Sequence, residues 1–282
     1  MIGLLGPSRC GSTWVAEMLG YLAAPFVLEP VNMTAVHFNH ALQGSWAAGR
    51  DWGPGVCGLD GDAAQNAQEL SARMVRLAAD TWGADLSQRP DVQQRVYAAI
   101  DELAGLLRDG TQGYKQHQWS VEFAERWGGR LVYLVRHPIG HLSALCDLLD
   151  ASKRGKPWSL HLADNVRRFH PERWEAIDAP DTTEGELAKM YRILTEFEWS
   201  RLRPMGARLF WFESLVANYN SAWGDLLDYL ALEPTQEFKL ALQLRVAPPA
   251  PTQRTPVLSH RPALAEAIRA VFGTWEVGYG GS

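Results

Sequence analysis

Two hydrophobic periods alternate along the chain. Unbroken apolar runs occupy 2–5, 26–28, 131–135 and 209–212. Runs of that length, apolar at every position, suit strands buried on both faces of a parallel sheet. A fifth strand is expected at 113–118, after a Gly-rich turn. Between them, apolar residues recur three and four positions apart at 15–22, 64–82, 91–107, 158–177, 184–203, 215–230 and 262–272, the period of helices with one buried stripe. Breaks fall at Ser87-Gln88-Arg89-Pro90 and at 178–183, where Thr183 precedes Glu184 and Glu186 as a helix-capping signal. The proline cluster 247–251 excludes helix there. Strands alternating with helices predict an α/β fold of three layers, a central parallel sheet with helices on both faces. With no linker or internal repeat, 1–282 reads as one domain. Within it, the glycine-rich 49–62 is expected to form a substrate lid loop and 64–107 a helical insertion or cap.

Composition narrows the function. An apolar share of 46% supplies a sizeable core, and there is no apolar run long enough to span a membrane. The net charge of −5 argues against a nucleic-acid partner. The three cysteines, Cys10, Cys57 and Cys146, form no C-x-x-C pair, and the first strand begins directly after Met1, leaving no room for a signal peptide. A cytoplasmic protein without a structural metal is expected. Twelve tryptophans exceed what a core usually needs and could line an aromatic cleft, with Trp52 of the glycine-rich loop one candidate.

The first strand runs into Gly6-Pro7-Ser8-Arg9-Cys10-Gly11-Ser12-Thr13-Trp14 and then a helix. A loop bounded by glycines that opens onto a helix N-terminus aims backbone N–H groups at one point and forms an anion site. The spacing is that of a phosphate loop, except that Ser12 stands where nucleoside-triphosphate enzymes carry lysine. The fold expected is therefore P-loop-like, with a ligand other than a triphosphate.

Pro7 to Trp14 resembles the 5′-phosphosulfate loop of sulfotransferases that use 3′-phosphoadenosine 5′-phosphosulfate (PAPS). Further motifs resemble the same family: Glu29-Pro30 after the second strand, Lys115-Gln116-His117, Arg136-His137-Pro138 after the central strand, Phe212-Glu213-Ser214-Leu215, and the terminal Gly278-Tyr279-Gly280. The resemblance implies sulfuryl transfer from PAPS to a hydroxyl or amine of a small-molecule or glycan acceptor, with 3′,5′-ADP as product and no metal. It implies that Arg9, Cys10, Gly11, Ser12 and Thr13 hold the 5′-phosphosulfate, with Arg9 also meeting the departing oxygen, and that Trp14 stacks on adenine. Arg136 and Ser143 would hold the 3′-phosphate, helped by a late basic loop with Arg254, Ser259 and Arg261 as candidates. His117 or Glu29 would take the acceptor's proton, and Glu213 would brace the site. Two departures stand out. His137 replaces the usual acid after the arginine, and the usual serine position is Ala144, with Ser143 one residue early. Two other readings remain open on the sequence: a P-loop-type kinase using ATP, and a non-catalytic nucleotide-binding protein.

Overall fold

The computed structural model describes residues 1–22, 26–28, 61–106, 113–151, 158–217, 219–245 and 260–273. Five strands, β1 (Ile2–Leu5), β2 (Phe26–Leu28), β3 (Gly113–Gln116), β4 (Arg130–Val135) and β5 (Arg208–Trp211), form one sheet in the order β2-β3-β1-β4-β5. Every pairing is parallel, with Leu4 set between Lys115 on β3 and Val132 on β4. The α/β, P-loop-like architecture expected from the sequence is thus present. All strands point one way, so the residues that follow β1, β3, β4 and β5 meet at one edge, where open parallel sheets bind ligands.

Alternate residues of the strands feed two apolar layers. Leu5, Tyr114, Leu131, Tyr133 and Val135 face one cluster. It is completed by α2 (Gly61–Thr81), α3 (Pro90–Leu106), α4 (Ser120–Trp127), α5 (Pro138–Ala151), α6 (Trp158–Phe169), α7 (Pro171–Ala176), α8 (Thr183–Leu202) and α12 (Pro262–Phe272). Ile2, Leu4, Val132, Leu134 and Phe210 face the other, against α1 (Ser12–Leu19), α9 (Phe212–Ala217), α10 (Tyr219–Leu230) and α11 (Gln236–Arg245). Trp223 anchors this second layer, fully buried with its indole N–H donating to Leu215 O at 3.1 Å. Helices α2 and α3 form the crossover between β2 and β3, and they pack into the first cluster through Met74, Ala78, Val96 and Ile100.

The structure corrects several element boundaries. The single helix expected over 158–177 is two, because Pro171 lacks an N–H and disfavours helical backbone at His170, which sits at φ −130°, ψ 53°. His170 uses the break: its Nε2 lies 2.7 Å from Gly83 O, while His161 and Asn165 bind Ala79 O and Arg168 binds Asp80 O. Three side chains thereby bind the last carbonyls of α2, which have no partner within the helix, and His170 binds the chain just beyond it. The cap of α8 is Thr182 rather than Thr183, its hydroxyl accepting from Gly185 N at 3.2 Å. The helix expected at 215–230 is divided between α9 and α10, and α4 and α11 lie where the sequence reading placed no element.

Candidate active site

The loop after β1 owes its path to two glycines. Gly6 has φ 147°, and a Cβ there would fall 2.1 Å from Leu134 O, so only glycine lets the loop run against β4. Gly11, at φ 94°, caps α1, and a Cβ there would strike the Phe212 ring at 2.2 Å. Between them Cys10 N donates to Pro7 O at 3.1 Å, and Arg9 occupies the exposed apex at φ 73°. A non-glycine residue in left-handed backbone costs energy and is retained where geometry demands it. Val15 N donates to Gly11 O. The N–H groups of the preceding helical turn have no intrahelical partner and lie at the positive end of the helix.

Cys10 is a correction to the expected ligand set. Its amide is engaged in the loop turn, its side chain is fully buried in the second cluster, and burial pushes its thiol up to about 11. It packs the loop and does not present a group to a ligand. Trp14 is half-buried on the same side, edge-on to Phe212 at 5.8 Å and Trp223 at 5.7 Å.

Strand β3 reaches the loop from one side. Lys115, fully buried, donates from Nζ to Thr13 Oγ1 at 2.8 Å. A lysine, absent from the loop at position 12, thus reaches it from the neighbouring strand. The alternation placing Lys115 and His117 on one face was visible in sequence; its consequence for the loop was not. His117, just beyond the strand, has Nδ1 2.7 Å from Gly6 O and Nε2 3.4 Å from Ser12 Oγ. A carbonyl oxygen only accepts, so Nδ1 carries a proton, and in the neutral ring Nε2 is the acceptor. The fold places Nε2 of His117 at the first turn of α1.

Strand β4 reaches it from the other side. Arg136 directs Nη1 to Arg9 O at 3.5 Å, and its guanidinium carbon lies 5.4 Å from the Phe212 ring centre. The Nε is buried without a hydrogen-bond partner, with Glu213 Oε1 3.8 Å away. Glu213 accepts from His137 N at 3.1 and 3.0 Å, and Tyr191 Oη donates to Arg136 O at 2.5 Å. Glu213 is expected from the sequence to brace the phosphate-loop region; its contacts are instead with the end of β4, at His137 N and Arg136. His137 Nδ1 accepts from Ile139 N at 3.3 Å, the local turn bond that an acid in its place would make. Gly140 leaves room for Arg136, since a Cβ would stand 2.9 Å from its Nε. Ser143 is one helical turn beyond Gly140, on the same face of α5, and half-buried.

Phe212 escaped the sequence reading. It abuts Gly11, Trp14 and Arg136 together, so one ring at the end of β5 ties the loop to the β4 corner. His117 and Arg136 thus both touch the loop, at Gly6 and Ser12 and at Arg9 respectively. Arg261 pairs instead with Asp147 of α5 at 2.8 Å. Glu29, Arg254, Ser259, Trp52 and residues 49–60 of the expected lid lie outside the described residues, and Gly61 and Asp62 open α2 rather than belonging to a loop. Among the described residues no cluster of potential metal ligands occurs, and no helix is long and apolar enough to cross a membrane.

No family model and no curated protein matches the chain. Among solved structures it is similar to a sulfotransferase domain from the curacin biosynthetic pathway, with 17% sequence identity and a TM-score of 0.40, covering 84% of this chain and 76% of that domain. So distant a likeness leaves the function to the chain's own residues.

Proposed function

We propose that the chain is a sulfotransferase that moves a sulfuryl group from PAPS to a hydroxyl or amine by in-line displacement. The observation that carries this reading is the junction of two cationic corners: Arg136 of the β4 end touches the backbone of Arg9 at the loop apex. A ligand with anionic groups at two ends of one nucleoside suits such a pair. A triphosphate, extended from one end, does not need the second corner. The guanidinium of Arg136, held beside Glu213, carries the planar fork that matches phosphate oxygens.

In this scheme the first-turn N–H groups of α1, Ser12, Thr13 and Lys115 hold the 5′-phosphosulfate. Transfer breaks the bond between sulfur and the bridging oxygen and forms one to the acceptor oxygen. Negative charge grows on the bridging oxygen, so a fixed Arg9 stabilises the transition state more than the ground state. His117 accepts the acceptor's proton at Nε2, with Gly6 O holding the tautomer and the ring orientation. Glu29 is the alternative base, Trp14 the adenine neighbour, and Ser143 and Arg254 further contacts to the 3′-phosphate. No step requires a metal.

One observation favours a second reading. Lys115 restores a cation to the loop, which an ATP-using kinase would need. Incubation with isotope-labelled PAPS and a metabolite extract, read by mass spectrometry, tests the first reading. Appearance of labelled sulfate esters supports it. Thermal stabilisation by ATP–Mg²⁺ with none by 3′,5′-ADP would replace it with the kinase. Tight 3′,5′-ADP binding without transfer to any acceptor would leave a nucleotide-binding protein.

A further inference from the structure

The donor scheme leaves unused a buried tyrosine of α8 that sequence alone marks only as part of a core stripe. The carbonyl of Arg136 and the N–H of His137 belong to one planar peptide unit. Tyr191 Oη donates to that carbonyl at 2.5 Å, and Glu213 accepts from that N–H at 3.1 and 3.0 Å. The unit lies just past Val135, the last residue of β4 paired to β5. Where the sheet pairing stops, two side chains from separate elements hold one peptide at both its ends. A planar group held at both ends cannot turn about the chain. Its turning would swing Arg136, and a small rotation at the backbone is magnified at the end of so long a side chain.

The position of Tyr191 follows from how α8 lies on β4. Seven residues further along the helix, Glu198 accepts from Tyr133 Oη of β4 at 2.9 Å. Two helical turns rise about 10.5 Å, and the three strand residues from Tyr133 to Arg136 span about 10 Å. The spans match, so both bonds form together. The Tyr191 ring is buried and stacked on His141 at 3.9 Å and 16°. Burial pushes its hydroxyl well above the ordinary value, so it keeps its proton and remains a donor. Phenylalanine would pack as well there, and a buried hydroxyl costs free energy unless it is bonded. Tyr191, His141, Met190 and Glu198 also line a cavity on this helical side of the loop, with room for about one water molecule. Nothing of a nucleotide's size enters so narrow a space. This wall acts on the site through the backbone it holds.

Resting on the sulfuryl-transfer reading, we propose that Tyr191 is a positioning residue for the 3′-phosphate: its hydroxyl holds the Arg136–His137 peptide against Glu213 and so aims the Arg136 guanidinium.

The test is calorimetric titration with 3′,5′-ADP and with 5′-AMP. Wild type is compared with Tyr191→Phe, Arg136→Ala, the two combined, and Tyr133→Phe. Tyr191→Phe deletes the hydroxyl and keeps the ring. It should weaken 3′,5′-ADP about five- to tenfold, the range of one hydrogen bond, and leave 5′-AMP unchanged. Added to Arg136→Ala, it should weaken 3′,5′-ADP no further, because no guanidinium is left to aim. Tyr133→Phe loosens the same helix from the same strand without touching the peptide, and should keep the wild-type preference for the bisphosphate. Equal losses of both nucleotides in Tyr191→Phe, or the same loss of preference in Tyr133→Phe, would reduce the hydroxyl to a prop of the fold and overturn the proposal. So would unchanged 3′,5′-ADP binding in Tyr191→Phe when Arg136→Ala weakens it, which leaves the donor reading standing. Absence of 3′,5′-ADP binding to wild type would remove the donor reading and the proposal together.

Discussion

The two sides of the phosphate loop are built on opposite principles. On the donor side, polar groups are held by one another: Lys115 on Thr13, His117 on Gly6 and Ser12, Arg136 on Arg9, Glu213 on the His137 amide. Their geometry is set before any ligand arrives, which suits binding of a fixed, highly charged group whose transition state needs oriented dipoles. On the helical side, the wall is mostly apolar, burial disfavours the charged forms of His141 and Glu198, and His141 Nδ1 has no hydrogen-bond partner. In the proposed sulfuryl transfer, the preformed polar groups would serve the donor, which is common to every turnover.

If that division is right, damage to the two sides should show in different measurements. The largest effect is expected at His117, which belongs to both. His117→Ala should lower turnover by about a hundredfold or more at saturating donor, with 3′,5′-ADP affinity little changed. A loss under tenfold would return the base role to Glu29. Next comes Arg9→Ala, which should reduce turnover by about ten- to a hundredfold with a smaller effect on donor affinity. Unchanged turnover would take Arg9 out of the leaving-group role.

The smallest effect separates the sides by pH. Glu198 ionises near 8 in the folded chain against an ordinary 4.5, and Glu122 near 7. Between those values the native chain binds protons that the unfolded chain does not, so stability declines as pH rises through the window. His141 acts in the opposite sense, because its folded value is about 3 against 6.5, but its contribution is complete above pH 6.5. Thermal melts from pH 6.5 to 8 should therefore show a falling midpoint, with a shallower slope in Glu198→Gln. Equal slopes would mean that Glu198 does not hold its proton in the fold.

The phosphate-loop corner was far more legible in sequence than the helical side, for a physical reason. An anion-binding corner is local: Gly6 to Thr13 must be contiguous to turn from strand to helix, and an arginine that closes a buried strand is placed by the strand itself. Even there, sequence could not show that Lys115 points at Thr13 or that Phe212 bridges Gly11 and Arg136, because those contacts depend on how β3, β1, β4 and β5 lie side by side. Cys10 was misread because a loop position says nothing of which way its side chain turns. The helical side, by contrast, draws Trp82, His141, Leu162 and Met190 from four separate segments of the chain. No spacing in the sequence links them, and each alone is an ordinary core residue. Pro171 did carry a local signal, and the break it makes after α6 follows from its missing N–H.

If the loop and the β4 corner grip two ends of one adenosine bisphosphate, calorimetric titration of wild type and Arg136→Ala with 3′,5′-ADP and with 5′-AMP will separate the nucleotides. Arg136→Ala should weaken 3′,5′-ADP by about a hundredfold, the range of a lost charge-assisted contact, and leave 5′-AMP nearly unchanged. Equal losses for the two nucleotides would rule the two-ended grip out.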